Sequence, residues 1–253
     1  MEKWRLLDIE SSDPCMNLAI EEAIVKTVGA GLVNPTVRFW RNPNAVVIGR
    51  FQSIENEVDL EECKKYKTSI VRRFTGGGAV YQDFGNLNCA VALPKGHRLL
   101  GEDISATYKI LGSSMINALI FLGVKPYFNS SSIYVYGKKV SGMAGTISDG
   151  AVFHHGTLLI DTNIEILRKV LKNAGSISLK KYVESRREEV TTLSAILNRS
   201  VLIAEVKKMV VKGFEQCWGI ELVDGNLTNE EKCLAQQIYE EKYLNNKFNA
   251  VLF

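Results

Sequence analysis

No uncharged apolar run in this chain approaches the roughly 18 residues that cross a bilayer as a helix. The opening "MEKWRLLDIE" also lacks the apolar stretch of a secretion signal. These absences predict a cytoplasmic protein with no membrane partner. Cysteines are few: Cys15, Cys63, Cys89, Cys217 and Cys233 are the five in 253 residues, and none form a C-x-x-C pair. That excludes a secreted disulfide framework and predicts reduced, mostly buried thiols. The three histidines, His97, His154 and His155, stand at no spacing to the cysteines that would build a zinc site, so the sequence names no metal ligand. Neither sign of charge dominates. The net charge of +3 gives no argument for nucleic acid. The charged runs "LKKY" and "SRREE" are short and read as solvated faces. No repeat, low-complexity segment or Pro/Gly/Ser-rich linker interrupts the chain, so residues 1–253 are read as one domain.

What is present is an ordinary globular composition, 46% apolar and 23% charged. Asp13 and Pro14 have the form of an N-cap and first helical position, and apolar residues at helical spacing follow to Val28. "TVRFW", "AVVIG", "SIVRRF", "AVYQD", "NLNCAVAL", "KPYF", "IYVYG", "KKVSGMAGT" and "VFHHGTLLID" read as strands. Helices are expected over 103–122, 163–171, "TLSAIL", 203–218 and 228–243, with Thr228 and Glu231 as a capping box for the last. Strands come in runs with helices between or after them. That predicts α+β with a mixed, largely antiparallel sheet flanked by helices.

Three segments stand out chemically. In "RRFTGGGAVY", residues 72–81, two arginines precede three glycines between strand-like runs. Glycine lets a backbone approach a ligand, and successive N–H groups in such a turn can cradle an anion. A plain hairpin turn is the other reading. Neither the Walker A nor the Rossmann spacing is present. In "YGKKVSGMAGT", strand alternation sends Lys138 and Lys139 to opposite faces; either both are solvated or one points inward as a compact cation. In "FHHGTLLID" the histidine pair is not a metal site by itself and a structural histidine is the commoner case, while Gly156 and Thr157 beside it could let the backbone approach a ligand.

Together "MNLAIEEAI", "AVVIGRFQSIENEV", "RRFTGGGAVYQDFGNLN", "GKKVSGMAGT" and "HHGTLLID" resemble lipoate–protein ligase A, within the biotin/lipoate ligase fold (class II synthetase-like). The resemblance runs from about residue 5 to 172 and more weakly beyond. It implies a two-step reaction. Lipoate attacks ATP to give lipoyl-AMP, and the lipoyl group then passes to a lysine of a carrier domain. By motif it implies that Arg73, Gly78, Ala79, Val80 and Tyr81 bind nucleotide. Arg72, Gly76, Gly77, His155 and Gly156 would bind substrate, and Lys139 would be the catalytic residue contacting both lipoate and the α-phosphate. Residues near Val46–Ile48 and Val80 are candidates for the dithiolane slot. Implied cofactors are ATP and Mg²⁺. Implied partners are the lipoyl domains of 2-oxoacid dehydrogenase complexes and the glycine-cleavage H protein, with a separate small accessory protein where the C-terminal accessory domain is absent.

One departure from the family pattern stands out. Ser131 and Ser132 stand where the family usually carries Asn-Asp, with Asp83 a candidate to compensate. The segment just after Lys139 holds no cysteine, Gly145, Thr146 and Ile147 occupying it, whereas lipoyl or octanoyl amidotransferases of this fold use a thiol nucleophile; that activity and a non-catalytic binding role are the alternatives. Biotin ligation is not expected, because the G-R-G-R-R-G loop is missing.

Overall fold

A computed structural model describes residues 1–172, 185, 187–245 and 248. The "LKKY" run lies outside the described residues. Strands β1 (Glu2–Asp8), β2 (Thr36–Trp40), β3 (Asn44–Ile48), β4 (Ser69–Arg72), β5 (Val80–Asp83), β6 (Asn86–Pro94), β7 (Pro126–Asn129), β8 (Ser132–Val135), β9 (Lys138–Ser148), β10 (Ala151–Leu159) and β11 (Ile220–Asp224) form two sheets. Around them lie α1 (Pro14–Gly29), α2 (Ile54–Glu57), α3 (Leu60–Tyr66), α4 (Ile104–Phe121), α5 (Ile164–Val170), α6 (Leu193–Leu197), α7 (Ile203–Trp218) and α8 (Asn229–Ile238). A π-helical turn, Tyr239–Tyr243, follows α8, so the helix expected over 228–243 changes pitch in its last turn.

The larger sheet runs β11-β1-β2-β6-β10-β9-β8-β7 and the smaller β4-β3-β5. The larger is antiparallel except where β1 lies parallel to β2 and β11. The expected α+β architecture is therefore present, divided into two sheets rather than one. Strand β11 lies in a region read from the sequence as helical. Its five residues pair with β1, far away along the chain, and no local pattern announces that partner.

Alternation along β6 explains the layers. Leu87, Cys89, Val91 and Leu93 face a core shared with Leu111 and Met115 of α4 and Val210 and Phe214 of α7. Ala90 and Ala92 face the other way, toward Leu18, Ala19 and Ala23 of α1, where small side chains let helix and sheet approach closely. Helix α1 starts where Asp13 accepts a hydrogen bond from Cys15 N–H and Pro14 presets the first turn. It is buried on more than one face, so its polar residues Asn17 and Glu21 are fully enclosed. A third cluster, with Val46, Ile48, Ile70 and Tyr81, fills the space beneath the smaller sheet.

One buried ion pair ties the ends of this architecture together. Arg5 donates to both carboxylate oxygens of Glu231, at 2.6 and 2.7 Å, and Thr27 and the Thr228 N–H donate to the same group. Burial opposes the charge on Glu231, but the bonds from Arg5 and Thr228 outweigh it and hold the carboxyl below its ordinary value of 4.5. Its contribution is therefore present above about pH 4.5 and lost as the pH falls through the lower folded value. Glu231→Gln is expected to cost about 3 kcal/mol at neutral pH. It should also flatten the loss of stability in acid, read by denaturant unfolding on either side of that window.

Candidate active site

A cleft of about 1020 Å³, including its open mouth, is lined from both sheets. Leu18, Trp40, Val47, Val80 and Met143 give it an apolar wall; Gln82, Asn88, Ser131, Ser132 and Thr157 add neutral polar groups. The "TGGG" turn closes one side and β9 the other.

Lys139 reaches this cleft through a local irregularity. The β8–β9 register slips between Ile133 and Tyr134, bringing Lys139 opposite Tyr134. Lys138 points outward and pairs with Glu189 at 2.7 Å. Lys139 turns inward, with its Nζ 3.2 Å from Glu188 Oε2. Tyr134 donates its hydroxyl to the other oxygen of Glu188 at 2.5 Å. Gly142 makes room: a Cβ there would lie 3.2 Å from Lys139 Cε. The backbone fixes the same residue, since Lys139 N–H donates to Glu189 and its carbonyl accepts from Thr191.

The glycine turn is held from behind by Arg73. The guanidinium donates to Thr75 Oγ1, to the carbonyls of Gly76 and Gly78, and to Val47. Burial pulls it down to about 10, so it stays charged at neutral pH. Binding the loop carbonyls offsets their negative ends and favours an anion nearby. Gly77 has φ +87°, a conformation that suits glycine, and an added Cβ would lie 2.9 Å from Arg73. Behind Thr75 a hydrogen-bond chain continues. Thr75 Oγ1 lies 2.8 Å from His155 Nε2, His155 Nδ1 3.0 Å from Glu21, and Glu21 accepts from Trp40 at 2.8 Å. With Glu21 ionised, the network assigns the imidazole proton to Nδ1, leaving Nε2 to accept from Thr75. His155 thus lines the cleft as a buttress with both nitrogens engaged.

Of the residues the motifs singled out, Arg73, Gly77, Gly78, Ala79, Val80, Lys139, His155 and Gly156 meet in this cleft. Arg72, Gly76 and Tyr81 do not line it. Arg72 alternates to the opposite side of β4 and donates to the carbonyls of Gly49, Gln52 and Phe248. Gly76 faces Phe51, and Tyr81 is buried beneath the smaller sheet. Within the expected apolar slot, Val47 and Val80 line the cleft, while Val46 and Ile48 belong to the core. Asp83 spends its two oxygens on Gly85 N–H and Asn163 N–H, which corrects its expected compensating role.

Within the "SRREE" run, Glu189 is exposed, but Ser185, Arg187 and Glu188 turn inward rather than forming a solvated face. Ser185 Oγ accepts from Ala79 N–H at 2.8 Å and from Gln52 at 2.9 Å. Arg187 holds Glu57 at 2.7 Å, and Glu188 lines the cleft. These residues and Glu21 escaped the sequence reading. Each is a polar side chain whose role depends on a distant partner, and the only local signal was a polar residue on the apolar face of α1.

Among the described residues no cysteine lines the cleft. Cys15, Cys63 and Cys89 are buried. Burial pushes Cys63 up to about 12 and Cys89 well above the usual thiol range, so neither is an activated thiolate. No group of three or more His, Cys, Asp or Glu side chains gathers among the described residues. Glu188 is the one carboxylate among the described residues lining the cleft, and serine hydroxyls are weak ligands for a hard dication. Among the described residues the donor set does not fit a protein-built Mg²⁺ site. No described helix is long and apolar enough to cross a membrane.

A largely antiparallel sheet thus carries a glycine turn and a lysine that converge on one cleft. The chain belongs to the lipoyl protein ligase A/B catalytic domain family, whose model matches residues 13–215. It is 30% identical to octanoyltransferase LipM of Brevibacillus brevis, over 98% of this chain and 99% of that one. It is 32% identical to lipoate-protein ligase A subunit 1 of Thermoplasma acidophilum, over 97% and 95%. Among solved structures, a lipoate-protein ligase A bound with ATP superposes with a TM-score of 0.85 at 31% identity, covering 98% of each chain. The bipartite ligase of T. acidophilum, described with its E2 lipoyl domain, has a TM-score of 0.85 at 30% identity, covering 100% of this chain and 98% of that one. The family thus contains both ligases and transferases.

Proposed function

We propose that this chain is an adenylate-forming lipoate–protein ligase. It joins a lipoate-class carboxylate to AMP and passes the acyl group to a lysine of a carrier domain. The observation that carries the reading is Lys139, a cation whose Nζ points into a glycine-walled cleft that no described cysteine lines. In the first step a carboxylate oxygen attacks the α-phosphorus of ATP, an anhydride forms, and pyrophosphate leaves with the electron pair of the broken P–O bond. Both the carboxylate and the α-phosphate are anionic, and a fixed ammonium between them offsets their repulsion. The apolar wall of Leu18, Trp40, Val47 and Val80 suits the acyl tail.

A thiol-dependent octanoyl transfer between carriers is the second reading, favoured by the similarity to the Brevibacillus enzyme. It needs a thiolate at the acyl carbon. On the ligase reading, residues 1–253 act as the catalytic domain in the cytoplasm. The acceptors are lipoyl domains of 2-oxoacid dehydrogenases and the glycine-cleavage H protein, and a separate accessory subunit completes the enzyme as in the bipartite relative. The expected result is lipoate-dependent pyrophosphate release with ATP and Mg²⁺, measured with and without such a subunit, that survives alkylation by iodoacetamide. ATP-independent transfer from an octanoyl carrier protein, abolished by alkylation, would instead identify the transferase. Tight binding with neither activity would identify a binding module.

A further inference from the structure

Behind the floor of the cleft lies a second cavity, of about 290 Å³ including its mouth. The β9–β10 register explains where it falls. Gly142 opposes Thr157 and Ala144 opposes His155, and these four residues line the cleft. Alternation sends Ser141 and Met143 of β9, with His154 and Gly156 of β10, to the opposite face. Gly156 has no side chain to fill that face. The gap above it is closed by Leu111, Gly112 and Met115 of α4 and by Phe214 of α7. Those walls are apolar, but one side of the cavity is not. Ser141 is 2% exposed and His154 5%, and neither Ser141 Oγ nor His154 Nε2 has a hydrogen-bond partner among the described residues. Ser141 Oγ stands over the gap, 3.8 Å from where a Cβ at Gly156 would lie. Ser114 also lines it; its hydroxyl donates to the Leu111 carbonyl at 3.0 Å and keeps lone pairs that can accept. Left unpaired, each buried polar atom would weaken folding roughly 5- to 150-fold in the equilibrium constant. An apolar occupant would leave that cost in place. No charged side chain lines the cavity among the described residues, and burial holds His154 neutral, pulled down to about 3. The occupant that suits these groups is therefore small, uncharged and able both to donate and to accept.

We propose that this cavity is an internal hydration site, holding ordered water that hydrogen-bonds Ser141 Oγ and His154 Nε2. The space between the side chains fits a water-sized body and not an acyl chain, and the polar groups around it number the two to four that a buried water needs. The water completes the hydrogen bonding of the sheet face that backs the cleft, directly behind the strands that carry His155 and Thr157 into it. The site is independent of the reaction, and it holds for a ligase and for a transferase alike.

Two measurements on the full-length protein test it. The first is a high-resolution crystal structure of the wild type, alone and under xenon pressure. Ordered water within hydrogen-bond distance of Ser141 Oγ and His154 Nε2, not displaced by the gas, is the expected result. A dry cavity with apolar walls takes up xenon. Xenon bound over Gly156, or no density beside either atom, overturns the proposal. The second is denaturant unfolding of Ser141→Ala. If water pairs the hydroxyl, the substitution removes a satisfied hydrogen bond, and the unfolding equilibrium constant should rise about 10-fold. If the cavity is dry, the substitution removes an orphaned group, and the constant should stay level or fall. A level or lower constant therefore also overturns the proposal. Should Ser141→Ala fail to fold, the wild-type crystals decide the matter without it.

Discussion

Replacing Lys139 with methionine is expected to lower acyl-adenylate formation by about 10²–10³-fold, the loss typical of removing one preorganised charge-stabilising donor. Methionine keeps much of the stem but no ammonium. The folded state should hardly notice. The Lys139–Glu188 pair is partly exposed on both sides, and such pairs contribute little to stability. The strand stays docked through backbone bonds to Glu189 and Thr191, which the substitution leaves in place. Pyrophosphate release measured beside calorimetry separates the two effects. A Lys139→Met protein with wild-type turnover would remove the residue from the chemistry. Arginine is not expected to restore the rate, because its planar fork does not reproduce a compact ammonium beside Gly142.

Arg73 carries the same charge in the same cleft and is expected to behave in the opposite way. Arg73→Met leaves the carbonyls of Val47, Gly76 and Gly78 without their guanidinium partner in a buried setting. Each orphaned buried acceptor costs about 1–3 kcal/mol, so a total loss of roughly 3–9 kcal/mol is expected for the three. For a chain of this size that lowers the melting temperature by roughly 6–36 °C. Arg73→Lys should not rescue it, since one nitrogen cannot reach carbonyls spread over the turn and β3. Activity should fall together with melting temperature. A stable but inactive Arg73→Met protein would instead mean that the guanidinium acts on the ligand directly.

These two residues show how far the sequence was legible. Both lie in motifs whose residue types point to an anion, and the segments that carry them meet in one cleft. Which member of each pair faces inward was harder. For Lys138 and Lys139 alternation gave two faces without naming the inner one. For Arg72 and Arg73 the choice depends on the pairing of β4 with β3, which sets Arg72 opposite Ile48. Glu188 was hidden for another reason. A charged run is ordinarily solvated, and only the docking of residues 187–191 on Lys139 turns it toward the cleft. Glu21 was hidden because a helix enclosed on more than one face does not display its polar residues to solvent. The elements themselves were read mostly from local periodicity. Strand β11 was not, because its reason to be extended is β1.

That last pairing bears on how the molecule is made. Arg5 and Glu231 clasp each other across 226 positions of sequence. On a ribosome, β1 emerges first and must wait with one edge uncovered until nearly the whole polypeptide has been synthesised. Nascent chains of this protein therefore carry an open strand for most of their synthesis, the interval in which a holding chaperone has something to cover.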